Sequence, residues 1–178
     1  MESARSIFEK AVKVPFASVN DLAEVWCEYA EMETRHESFD NALDVMGRAT
    51  VTPRLGNVNP HNVNFHDETI SPQHRVFKSL KLWGFYVDLE ESVGTVESTK
   101  AVYDKIMDLR IANPQIIVNY ATFLEENEYF EDSFKVYERG IDLFGWPIAF
   151  ELWNIYLERF LRRYVSSKNR RLNIAMDC

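Results

Sequence analysis

The chain has 178 residues, 46% of them hydrophobic and 27% charged, with 6 Gly, 6 Pro, 2 Cys and a formal net charge of −8. This length fits one domain, the apolar share excludes wholesale disorder, and two cysteines exclude a disulfide framework and favour a reducing compartment. No stretch approaches the ~20 apolar residues of a membrane span, and the first residues carry no apolar secretory core, so the chain reads as soluble and intracellular.

Two amphipathic patterns alternate along the chain. The first, called helix B here, runs from Ala4 to Ala11 and lines Ile7, Phe8 and Ala11 on one side. The second, helix A, places Val25, Trp26, Tyr29, Met32 and Glu33 at helical spacing on one face. Helix B returns from Ala42 to Ala49 with Val45, Met46 and Ala49. Residues 51–72 are rich in Asn, Pro and His and have no helical period, so they read as a long loop inserted between repeats. It is either an ordered binding loop or a tolerated insertion.

Ser71 before Pro72 gives a helix start signal. Helix A then recurs as Leu82, Trp83, Tyr86, Leu89 and Glu90, and Gly94-Thr95 marks the next turn. Helix B follows from Thr99 to Ile106 with Val102, Tyr103 and Ile106. Asn113-Pro114 starts a third helix A bearing Ile116, Ile117, Tyr120, Phe123 and Leu124. After a turn at Glu128-Tyr129, helix B runs from Ser133 to Gly140 with Val136, Tyr137 and Ile141. Gly145-Trp146-Pro147 breaks toward a last helix A with Leu152, Trp153, Tyr156, Leu157 and Phe160. The pattern is lost over 165–178, which reads as an irregular basic tail.

Trp83 to Ile117 spans 34 residues and Ile117 to Trp153 spans 36, the period of helix-turn-helix repeats. The expected fold is therefore all-α: a right-handed solenoid over 1–164, built by stacking helix pairs that cannot bury their apolar faces alone. Trp26, Trp83 and Trp153 are the expected large core residues. Phe8, Tyr103 and Tyr137, with Met46 as their adaptable substitute, are expected to fill space against helix A. Glu33 and Glu90 either accept hydrogen bonds from tyrosine hydroxyls or from basic residues such as Arg48 and Lys105, or lie on a solvated face. The pattern begins with an unpaired helix B and stops on an unpaired helix A, so we expect a fragment of a longer array whose apolar ends favour association.

No catalytic constellation is legible. Glu90-Glu91 and Glu125-Glu126 are neighbours about 100° apart on a helix and read as charged-face residues. His36, His61, His66 and His74 lack zinc spacing, and no glycine-rich phosphate loop is present. The expectation is no catalytic, cofactor-binding or metal residue, and no small-molecule substrate. Residues 1–158 hold 14 Lys+Arg against 27 Asp+Glu, which argues against a broad nucleic-acid surface. The basic end, with Arg159, Arg162, Arg163, Lys168, Arg170 and Arg171, is either an RNA or acidic-protein contact or a solvated helix end that frays.

The alternation of Trp-x-x-Tyr-x-x-x-Glu with Ala-Arg-x-Ile-Phe-Glu-Lys-Ala resembles the half-a-TPR (HAT) repeat. Longer runs, Glu28 to His36, Arg75 to Trp83, Asp88 to Gly94, Ser98 to Tyr103, Asp108 to Ala121 and Tyr137 to Ile141, resemble the SYF branch of the crooked-neck-like splicing factors, the XPA-binding protein branch. The resemblance implies a non-catalytic nuclear scaffold of the spliceosome, in the nineteen complex, with a further link to transcription-coupled DNA repair. It implies splicing-complex proteins as partners, with RNA contact secondary and no membrane. The alternatives are a HAT scaffold in 3′-end cleavage or ribosomal RNA maturation, or an RNA binder acting through the basic tail.

Overall fold

Each apolar stripe of the sequence folds as a helix, and the breaks between stripes fold as turns. The computed structural model describes residues 2–53 and 60–176, with side-chain surroundings through Val165. Among these residues the α-helices are α1 (Glu2–Ala11), α2 (Val19–Arg35), α3 (Phe39–Ala49), α4 (Pro72–Arg75), α5 (Leu80–Val93), α6 (Val96–Asp108), α7 (Pro114–Glu126), α8 (Phe130–Leu143) and α9 (Ile148–Met176). Two 3-10 turns, Pro60–Asn62 and Val76–Lys78, complete the regular structure, and the described residues contain no strand.

The helices form two compact units, residues 1–111 and 112–178. In the first, α2 packs on α1 and α3, and α5 packs on α2, α3 and α6. Leu22, Ala23, Ala30, Ala42, Met46 and Leu82 are its sealed centre. In the second, α8 packs against both α7 and α9, and Ile117, Leu124, Tyr137 and Leu152 are fully buried.

Local chemistry fixes the helix ends. Ser18 caps α2 by accepting from the Asn20 amide at 3.1 Å. Asn113 caps α7 from the Ile116 amide at 2.9 Å, with Pro114 in the first turn as expected. Thr95 and Ser98 form a reciprocal capping box at the start of α6. Three chain reversals use a left-handed residue that is not glycine: Glu37 (φ 59°), Arg110 (φ 54°) and Glu128 (φ 68°). Each is closed by a backbone bond from the next amide to a carbonyl five residues back: Ser38 to Glu33, Ile111 to Ile106 and Tyr129 to Leu124.

Gly140 is packed rather than terminal. It lies inside α8, where an added Cβ would come within 2.6 Å of the Ile117 Cγ2 methyl on α7. The glycine sets how closely the two helices approach.

Two expectations are corrected. The stretch beginning at Pro72 is not one continuous helix into the Trp83 segment: α4 lasts four residues, a 3-10 turn follows, and α5 starts at Leu80. Ser71 does not cap it; its hydroxyl pairs with the His74 ring at 3.0 Å. The tail is not irregular through its described part, because α9 continues to Met176.

The described part of the 51–72 insert, with the residues that follow it, is ordered from beneath. Arg75, 5% exposed, donates to the Phe65 carbonyl at 2.9 Å, and Lys78, 8% exposed, donates to the His61 carbonyl at 2.9 Å. Burial holds the Lys78 ammonium below its usual pKa. Asp67 accepts from the Thr69 hydroxyl and amide, which keeps its carboxyl below the ordinary aspartate range. Residues 54–59 of the insert lie outside the described residues.

Candidate protein-interaction surface

The repeated residues build polar seams between helices. In the first unit Glu33 of α2 is 1% exposed, and it is gripped by Arg5 of α1 through two bonds of 2.6 Å. A forked guanidinium on a buried carboxylate gives direction as well as attraction. That partner was not expected: Arg48 instead bonds Glu9 of α1 at 2.7 Å and lies over the Trp26 ring at 5.6 Å. Glu9 also accepts from the Tyr29 hydroxyl at 3.2 Å. The Arg48 hydrogen bond draws the Glu9 carboxyl below the usual range, while burial raises the Tyr29 phenol. Phe8 stacks flat on Tyr29 with ring centres 5.0 Å apart. Trp26, only partly buried, flanks the same stack.

Further along this unit, Trp83 is buried and its indole donates to the Phe77 carbonyl at 2.6 Å. Glu90, for which a tyrosine hydroxyl, a basic residue such as Lys105 or solvent stood open, accepts from Ser98 at 2.5 Å. Glu91 is no idle surface residue, since it accepts from the buried Tyr103 hydroxyl at 2.7 Å. Tyr86 is partly buried against the core, which raises its phenol pKa. A cleft of about 320 Å³ opens beside Trp83 and Leu109, rimmed by Thr50, Val51, Lys105 and Asp108.

In the second unit Tyr120 and Tyr137 are buried. Among the described residues the Tyr137 hydroxyl has no hydrogen-bond partner, and burial pushes its pKa up to about 12. Glu125, expected on a charged face, accepts from Ser133 of α8 and Arg159 of α9, each at 3.0 Å. This pairing was not legible in the sequence: its three members lie on three helices, and of them only Ser133 belongs to a repeat motif.

Trp153 departs most from expectation. It occupies the same motif position as Trp83 and Ile117, yet is 43% exposed where those are 1% and 0%. Ile117 is roofed by Gly140 of the following helix, and Trp26 by Arg48. Inward on α9, Tyr156 stacks on Tyr137 at 5.6 Å and donates to Glu138 at 3.0 Å. Outward, Phe150, Trp153, Leu157, Phe160, Leu161 and Tyr164 form an open apolar stripe. Among the described residues no group of three or more His, Cys, Asp or Glu is placed to hold a metal ion, and no helix is long and apolar enough to cross a membrane.

Within each unit, then, polar seams join neighbouring helices, and α9 leaves an apolar stripe exposed. The family model for the pre-mRNA-splicing factor Syf1/CRNKL1 C-terminal HAT repeat matches residues 1–176. The chain belongs to this Syf1/CRNKL1 HAT-repeat family. The match passes Tyr164, where the local resemblance of the sequence stopped. The pre-mRNA-splicing factor SYF1 of Mycosarcoma maydis is 58% identical over 171 residues, 96% of this chain and 15% of that protein. The splicing factor cwf3 of Schizosaccharomyces pombe is 55% identical over 164 residues, 92% of this chain and 20% of its own length. Human SYF1 is 52% identical over 171 residues, 96% of this chain and 19% of that protein. The chain thus spans a fifth or less of the curated relatives it matches here. As a member of the Syf1/CRNKL1 family it is an all-α repeat protein of the TPR-like kind, in agreement with the paired helices within each unit.

Proposed function

We propose that this chain acts as a segment of a non-catalytic protein–protein scaffold of the spliceosome, working in the nucleus during pre-mRNA splicing. The observation that carries this reading is the helix-pair architecture itself, in a chain 52–58% identical to proteins named as splicing factors. The mechanism is geometric. Seams such as Arg5–Glu33 and Glu125–Arg159 hold neighbouring helices in fixed relation, so the outward faces keep their spacing when partners dock. The narrower placement in the nineteen complex, and the link to transcription-coupled repair, rest on the sequence resemblance alone.

Direct RNA binding through α9 is the weaker reading. Arg159 is bonded to Glu125, Arg162 to Glu158 at 2.8 Å, and Arg163 lies 3.7 Å from the Phe130 ring centre. Three of the basic residues are thus already engaged within the chain. The test is purification of the tagged chain from nuclear extract with and without RNase, followed by mass spectrometry. Splicing proteins retained after RNase are the expected outcome. Their loss after RNase transfers the role to RNA tethering, and recovery of 3′-end cleavage or ribosomal RNA maturation proteins instead moves the scaffold to another process.

A further inference from the structure

We infer that Thr52 is the phosphoacceptor of a proline-directed serine/threonine kinase, and that Lys105 of α6 receives the phosphate. The inference goes beyond the scaffold reading and does not depend on it.

The sequence narrows the choice of acceptor. Two hydroxyl residues precede a proline, Thr52 before Pro53 and Ser71 before Pro72, and they stand at the two ends of the 51–72 insert. Proline pushes the residue before it out of the helical region into extended backbone. It also offers no amide hydrogen on that side. Proline-directed kinases accept a hydroxyl presented in this way.

The structure separates the two candidates. Thr52 is exposed, in a stretch without regular structure just past α3. Among the described residues its hydroxyl has no partner. Ser71 is exposed as well, but its hydroxyl is paired with the His74 ring at 3.0 Å. The residues after Ser71 are wound into α4 and held there: Gln73 donates to the Val14 carbonyl at 2.7 Å, and Arg75 is buried. A kinase cleft takes the acceptor and its neighbours as open chain. Thr52 therefore meets the requirement in the folded protein, and Ser71 does not.

Charge says where the phosphate goes. Thr52 and Lys105 line the same cleft of about 320 Å³ beside Trp83. Lys105 is exposed and, among the described residues, holds no carboxylate or hydrogen-bond partner. Its ammonium sits on a flexible four-carbon stem that can turn to a new anion. Asp108, on the same rim, already has a partner of its own. Thr52 stands two residues beyond Thr50, the cap of α3, past the turn in which a helix dipole repels an anion. A phosphate there carries a charge of about −1.5 to −2 and forms a charge-assisted bond with Lys105. That bond ties the start of the insert to α6, as Arg75 and Lys78 already hold its later part.

In the transfer the Thr52 Oγ attacks the γ-phosphorus of ATP. The new O–P bond forms as the bond to the ADP oxygen breaks, and the hydroxyl proton passes to the catalytic aspartate of the kinase.

The test incubates the full 178-residue chain with ATP and a cyclin-dependent kinase, and locates phosphate by peptide mass spectrometry. A short Thr-Pro peptide in the same reaction shows that the kinase is active. The expected result is phosphate on Thr52, none in Thr52→Val, and Ser71 unmodified. Acetic anhydride labelling of Lys105, read against Lys135 of α8, should slow by roughly 2–5-fold once Thr52 is phosphorylated. Thr52 left unmodified while the peptide is phosphorylated overturns the inference, and so does Ser71 modified as fast as Thr52. Unchanged labelling of Lys105 in the phosphorylated chain overturns its receiving role.

Discussion

Replacing Gly140 with alanine tests whether α7 and α8 meet as closely as described. A mid-helix Gly→Ala change ordinarily stabilises by about 0.8–1 kcal/mol through helix propensity. Here the new methyl would come within 2.6 Å of Ile117 Cγ2 and 3.1 Å of Cγ1. Ile117 is completely buried and β-branched, so it cannot swing aside without a change of rotamer or backbone. Overpacking of this kind costs about 1–3 kcal/mol. The net expectation for Gly140→Ala is a loss of up to about 2 kcal/mol. In an Ile117→Ala background the clash is gone and the same change should stabilise by about 1 kcal/mol. The coupling between the two sites is then the overpacking cost itself, roughly 1–3 kcal/mol. Urea unfolding followed by circular dichroism reads the totals. Hydrogen exchange of the α7 and α8 amides localises them, which matters because repeat arrays need not unfold as one unit. If Gly140→Ala alone raises stability by the full helix-propensity gain, α7 and α8 are not in contact at Gly140 and the reasoning fails.

Further outcomes follow from the seams. Tyr137→Phe removes a buried hydroxyl without a partner and should be neutral or stabilising by about 1 kcal/mol, whereas Tyr103→Phe loses the bond to Glu91 and should cost about 1 kcal/mol; paired denaturation curves decide. The Tyr137 pKa is raised from 10 to about 12, so its contribution is complete below pH 10 and is lost as pH rises toward 12 while the unfolded phenol ionises first; the alkaline limb of a stability profile should flatten in Tyr137→Phe. Glu9 has the opposite sign. Its native pKa is depressed by Arg48, so the stabilisation is complete above the ordinary glutamate range near ~4.3 and is lost as pH falls through the lower native value. Trp26 fluorescence should report that acid transition, and Glu9→Gln should weaken it. Arg5→Ala leaves a buried carboxylate unpaired at Glu33, and α1 should lose exchange protection before α2 does; equal protection in both helices would contradict this.

The helices were legible because a period near 3.6 is a local property that survives reading one chain. Trp26, Tyr29 and Glu33 declare a face without knowledge of what lies on it. The partners across the seam were not legible. Arg5 stands 28 residues from Glu33, and Arg159 stands 34 from Glu125. Nothing local distinguishes Arg5 from Arg48 as the cation that reaches the buried carboxylate; the stacking of α1 on α2 decides it. Trp153 illustrates the same limit, since its motif matches that of Trp83 while its burial depends on a neighbour the motif does not encode. The helix past Val165 was missed because 166–176 has helix formers, Lys, Arg, Leu, Ala and Met, but no apolar period to announce them.

The insert after α3 is fastened in a particular way. Arg75 and Lys78 grip main-chain oxygens of Phe65 and His61, and every residue type carries such an oxygen. Attachment is thereby separated from the identity of the side chains that point outward. His61, Asn62, Asn64, His66 and Glu68 are exposed, and neither of these two grips uses their side chains. Where a scaffold needs to acquire a new specificity without redesigning its frame, this segment is a replaceable face on a fixed bracket.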